Sequence, residues 1–200
     1  MPRAPENQMT RPARVSYRRR MDVTFRRTGE RRYAVIAEPP GRPAQAMDPA
    51  PGYDEQIPHD AVHYLVEAEL GLMGGLYGRI ARGGGELPIA VRDGEDPKAR
   101  RRAIRRQQRK QASLRARDHA SGDEMGLSED LAAAVDLAWR RARGARRPEW
   151  APPRPADPEV EALVQRLMPA VEAFAERWRG LPVGGAVTFR WPATRPESAG

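Results

Sequence analysis

Val23 and Phe25 alternate with Thr24 and Arg26, and after Thr28-Gly29-Glu30 the chain resumes with Tyr33 and Val35 alternating with Ala34 and Ile36. A two-residue period on either side of a glycine-containing break predicts a β-hairpin. A third short strand is predicted at residues 44–47. Val23-Thr24-Phe25-Arg26 recurs near the other end as Val187-Thr188-Phe189-Arg190, where Val187, Phe189 and Trp191 again alternate with small or polar residues. Matching strands at the two ends predict a sheet that the chain leaves and rejoins.

Between them the period changes to that of helices. Pro58 suits a first helical turn, and the segment from His59 runs to Gly71, a natural C-terminal stop. A second apolar piece follows, Leu72 to Ala81, and Gly71, Gly74, Gly75 and Gly78 would weaken an isolated helix there but permit close backbone approach. A helix over residues 128–143 is predicted to begin at Ser128-x-x-Leu131, with less clean sidedness. The clearest helix starts at Asp157-Pro158, carries Val160, Leu163, Val164, Leu167, Val171, Phe174 and Trp178 at helical spacing, and ends at Gly180. Pro169 should kink it. The fold class this implies is α+β: a small antiparallel sheet from the N-terminal hairpin and a C-terminal strand, covered by helices.

Residues 1–20 hold three prolines, six arginines and almost no large apolar side chains, and are expected to form a disordered basic arm. A single domain is expected over residues 21–192, followed by a disordered tail at 193–200. The 200 residues include no cysteine, which excludes disulfides, cysteine zinc sites and thiol nucleophiles. No apolar run reaches the ~18 residues of a membrane span, so a cytoplasmic protein without membrane contact is expected.

Only Lys98 and Lys110 are lysine, the other basic residues being arginine, a skew that a GC-rich genome explains more simply than guanidinium chemistry does. Position is more informative than number. Lys98 to Arg117 holds ten basic residues and no acidic one, more than the whole chain's formal +8. This stretch, with its linker spanning 97–126, is predicted to be a helix protruding from the domain. Lys98, Arg101, Arg102, Arg105, Arg106, Arg109 and Lys110 would give it nonspecific affinity for nucleic acid, or for an acidic protein partner. The bland alternative is a solvated linker screened by Asp93, Glu95, Asp96, Asp118, Asp123 and Glu124. Aromatic residues for base stacking are absent from it.

His59, His63 and Glu67 follow one another at four-residue spacing, placing them on one helical ridge bordering the Val62, Val66 and Leu70 stripe. Two imidazoles so placed can share a divalent metal such as zinc, with Glu67 as third ligand; they can equally be packed, hydrogen-bonded histidines. A fourth ligand would come from Glu69, His119, Glu172 or Glu176. The zinc-protease signature has Glu after the first histidine, where this chain has Asp60. Phosphate-loop, dinucleotide and serine-hydrolase signatures are missing, so no enzyme class is favoured. A protein-interaction module without catalytic activity is the third reading.

The block Pro58-His59-Asp60-x-x-His63-x-x-Val66-Glu67-x-Glu69-Leu70-Gly71, with Gly74-Gly75 and Gly78 after it and Thr28 to Tyr33 and Met47-Asp48-Pro49 before it, resembles an uncharacterised family of small proteins from GC-rich, actinobacterial-type bacteria. The resemblance spans about residues 21–85 and implies a bacterial origin and no reaction. His-Asp-x-x-His is also similar to a segment of the zinc-binding coenzyme Q biosynthesis scaffold family. Gly74 and Gly75 stand where that family has a further glutamate, so its function does not carry over.

Overall fold

The computed structural model describes residues 20–85, 87–90, 94–121, 123–144 and 157–191, the side chains of 118–121 excepted. The expected arm at 1–20 (Arg20 apart), the tail at 193–200 and the His119 side chain lie outside the described residues. The strands are β1 (Asp22–Gly29), β2 (Arg32–Glu38), β3 (Gln45–Met47) and β4 (Ala186–Arg190), in the order β3-β2-β1-β4 with every neighbour antiparallel. The fold is α+β, as the two periodicities require.

The repeated tetrapeptide pairs with itself. Val23 lies opposite Phe189, Thr24 opposite Thr188 and Phe25 opposite Val187, with the two threonine hydroxyls 2.9 Å apart at the centre. Val23, Phe25, Tyr33, Val35 and Val187 thereby share one face, and all are at most 1% exposed. Phe25 meets Tyr64, Phe174 and Phe189 edge-on, a geometry that adds quadrupole attraction to apolar burial.

Helices α1 (His59–Leu70), α2 (Leu76–Ala81), α3 (Pro97–Ser121), α4 (Glu124–Ala142) and α5 (Pro158–Arg179) complete the chain. α1, α4 and α5 pack on one another and close the core with Val62, Val66, Leu131, Val135, Leu163 and Phe174. α5 begins and ends where expected and runs unbroken through Pro169, which is exposed, so the Gln165 carbonyl it deprives of a partner faces the solvated side. α4 begins a turn earlier than predicted because Asp123 Oδ1 accepts the Gly126 N–H at 3.0 Å and caps it there. Ser128 is thus an interior, fully buried residue of α4 rather than its start. That shift places the Ser128 hydroxyl between His63 and Glu67 of α1.

α3 meets the rest of the protein along one face only. Leu114 is buried, Gln107 Nε2 donates to the Leu87 carbonyl at 2.9 Å, and the Gly85 N–H donates to Gln111 Oε1 at 2.8 Å. The remainder of the helix stands out from the fold.

Candidate metal centre

Pro58 leads into α1, whose entry is fixed by Asp54 Oδ1 accepting the N–H groups of Gln56 and Ile57 at 2.7 and 3.0 Å. His59 and His63, one turn apart, bring their rings to a centroid separation of 4.7 Å in an edge-to-face pair. Facing them across the α1–α4 seam is Glu129, whose Oε2 lies 3.3 Å from His63 Nε2. One ligand atom from each of His59, His63 and Glu129 lies within 4.8 Å of the others. A tetrahedral ion with bonds of roughly 2.0–2.1 Å sets neighbouring ligand atoms about 3.4 Å apart, so the His63–Glu129 edge already has that spacing. The other edges can close by rotation of His59 and Glu129, whose side chains are 47% and 62% exposed. His63 by contrast is held inside.

What holds it is a hydrogen-bonded line running inward. Ser128 Oγ donates to Glu67 Oε1 at 3.0 Å and lies 3.1 Å from His63 Nδ1. When the single hydroxyl proton goes to Glu67, Oγ accepts from His63 Nδ1–H and Nε2 carries the ring's lone pair; in the opposite tautomer Nε2–H points at Glu129. Burial, with the neighbouring His59 adding to it, pushes the His63 pKa down to about 4, so the ring is neutral near pH 7. In the first tautomer a lone pair on Nε2 faces a carboxylate oxygen at 3.3 Å, an arrangement that a cation can bridge; in the second the two groups are hydrogen-bonded directly.

The sequence reading put Glu67 at the metal, and the structure turns it elsewhere. Glu67 is fully buried; its Oε1 accepts the Leu76 N–H at 2.8 Å, and its Oε2 accepts those of Tyr77 and Gly78 at 2.9 and 3.4 Å. These are the orphan donors of the first turn of α2, which has no side-chain cap of its own. Burial outweighs the four donors and pushes the Glu67 carboxyl up to about 7. Glu67 therefore acts from behind, through Ser128, and Glu129 is the carboxylate beside the imidazoles.

No family model, curated protein or solved structure matches the chain. Residue roles accordingly come from geometry alone. Asp60 is drawn away by the Tyr33 hydroxyl at 2.5 Å, Glu69 pairs with Arg166 at 3.2 Å, and Glu172 accepts from Trp139 Nε1 and Arg143. Among the described residues, none of the fourth ligands proposed from sequence joins the group, Glu176 included. A further carboxylate beside the group is Asp136, with Oδ2 3.9 Å from His59 Nδ1, while its Oδ1 accepts from Arg140 Nε at 2.9 Å. Sequence reasoning missed Ser128 and Glu129 because no spacing along the chain announces a meeting between helices 65 residues apart.

The second predicted set lies on α3. Lys98, Arg101, Arg102, Arg105, Arg106 and Arg109 are exposed and Lys110 is half-buried. At about 100° per residue the first six fall within roughly 140° of arc, on the side away from Gln107, Gln111 and Leu114.

Proposed function

We propose that the protein binds a divalent transition-metal ion, with His59, His63 and Glu129 as protein ligands and a further position open toward solvent. The observation that carries this reading is the convergence of His59, His63 and Glu129, with His63 Nε2 3.3 Å from Glu129 Oε2 and the other ring nitrogen hydrogen-bonded to Ser128. Orientation of a ligating imidazole through its second nitrogen is the ordinary supporting device of metal sites. Two imidazoles and a carboxylate suit zinc among the borderline-soft ions. The chain has no cysteine, and we place it in the cytoplasm, where histidine and carboxylate ligation needs no thiol. Among the described residues no helix is long and apolar enough to cross a membrane.

The test is titration of tag-free protein with zinc and with cobalt(II), whose visible absorption reports tetrahedral nitrogen and oxygen ligation. One equivalent should bind the wild type, and His59→Ala/His63→Ala and Glu129→Gln should each weaken binding at least tenfold. Glu67→Gln should retain the stoichiometry with a smaller loss, because Glu67 orients and does not ligate. Equal binding by the histidine double variant, or no binding by wild type at micromolar concentrations, overturns the assignment.

A further inference from the structure

Among the described residues, the acidic side chains near α3 each hold a partner other than its outward-facing basic residues. Asp96 caps the helix, accepting from the Lys98 and Ala99 N–H groups at 3.0 and 3.2 Å. Glu95 faces Arg100, which lies on the docked side and donates to the Ile89 carbonyl at 3.3 Å. Asp123 caps α4, and Glu124 accepts the Gly74 N–H. Asp93 and the Asp118 side chain lie outside the described residues. Lys98, Arg101, Arg102, Arg105, Arg106 and Arg109 have no ion pair with any described residue, and they follow one another at alternating three- and one-residue steps.

That spacing builds two ridges. Arg101 and Arg105 form one, Arg102 and Arg106 the other, with Lys98 and Arg109 along the line between them; the stripe is about 17 Å long at 1.5 Å per residue. The apolar positions Ile104 and Leu114 are on the docked side, so the stripe has no adjacent apolar face to enter a lipid surface. It also carries no aromatic ring to stack on unpaired bases. Two guanidinium ridges splayed about an α-helix can reach the phosphates on both sides of a B-form major groove, which is roughly 12 Å wide and admits a helix, whereas the corresponding groove of duplex RNA does not.

From these positions we infer that the exposed face of α3 is a backbone-reading interface for double-stranded DNA. It is distinct from the metal centre and stands whether or not that centre binds an ion. Its contacts are to phosphate and carry no sequence preference. The six basic side chains offer no amide pair that reads adenine, the exposed Gln108 lying at the edge of the stripe, and the arginines are placed for the groove's rims.

The full chain and an Arg101→Gln/Arg102→Gln/Arg105→Gln/Arg106→Gln variant should be compared by fluorescence anisotropy on a random-sequence duplex of about 20 base pairs, across a salt series. All four positions are exposed, so the variant should keep the wild-type thermal midpoint. Wild type should lose affinity with a log–log salt slope of about −0.9 per phosphate neutralised, and the variant should lose at least tenfold in affinity together with roughly three units of that slope. An unchanged slope in the folded variant overturns the proposal. So does equal or tighter binding to single-stranded DNA or duplex RNA of the same length, which would remove the groove. Equal affinity for polyglutamate of matched charge would assign the stripe to an acidic protein instead. If the variant unfolds, Arg102→Gln/Arg106→Gln alone should still show about half of the slope change, and its absence counts against the assignment equally.

Discussion

At the scale of single residues, His63 and Glu67 are two buried ionisable groups displaced in opposite directions and joined through Ser128. Glu67 is raised from 4.5 to about 7, so its neutral form favours the folded state below pH 4.5 and that contribution is lost as pH rises through 7. His63 is lowered from 6.5 to about 4, so the folded state resists its protonation and loses stability as pH falls from 6.5 toward 4. Between pH 4.5 and 6.5 the two slopes oppose each other. In metal-free buffer, Glu67→Gln should expose the histidine's slope, with stability falling on acidification through that window. His63→Gln should expose the opposite slope. Urea titrations at a series of pH values check both; profiles parallel to wild type would mean that the two groups do not carry the balance. Ser128→Ala, which strips a partner from each, should cost about 1–3 kcal/mol. The histidine pair was legible in the four-residue spacing. The position of Glu67 on the same ridge was legible too, but a helical angle says nothing of what lies across from it, and here it is a second helix's unpaired amides.

At the scale of elements, α2 is a six-residue helix that a distant carboxylate completes. Two glycines make the arrangement possible for different reasons. Gly71 ends α1 with φ of 64°, a left-handed turn with open space around it. Gly75 has φ of −70°, an ordinary value, yet a Cβ there would lie 2.3 Å from Glu67 Cδ. Gly75→Ala should therefore cost roughly 1–3 kcal/mol through displaced packing and a weakened cap, whereas Gly71→Asn, tolerant of the left-handed region, should cost less. Chemical denaturation of the two variants separates crowding from backbone conformation. The sequence predicted close approach at these glycines, which holds at Gly75 and not at Gly71; the apolar piece read from Leu72 becomes helix only at Leu76, because the glycines keep its first residues out of helix. α4 and α5 are joined by Glu172, which takes the Trp139 indole N–H at 2.9 Å together with Arg143, contacts that hold its carboxyl below the usual range. Neither partner was visible in either helix's own period.

At the scale of the whole molecule, strands and main helices were read from periodicity because each buries one face, and the sheet's closure was read from a repeated tetrapeptide. The meeting of α1 with α4, which creates the candidate centre, was not, since it depends on how three helices pack over one sheet. α4 also looked indistinct because its polar residues Ser128, Glu129 and Asp136 face the seam, breaking the apolar stripe where the site lies. The two proposed surfaces occupy separate elements, so losing metal should leave duplex binding by α3 unaltered. Chelator-treated and metal-loaded protein should bind DNA with equal affinity; a difference of tenfold would reveal coupling between them.

The pairing of Thr24 with Thr188 spans 164 positions along the chain. A polypeptide emerging from the ribosome therefore holds the β1–β2 hairpin, while residues 39–185 are added, with one edge unpaired and with Val23 and Phe25 lacking their β4 partners Phe189 and Val187. Long-range closure of this kind is slow and aggregation-exposed. A chain stopped after Gly185 should accumulate as insoluble material, and adding the missing strand as a separate peptide during refolding should recover soluble protein.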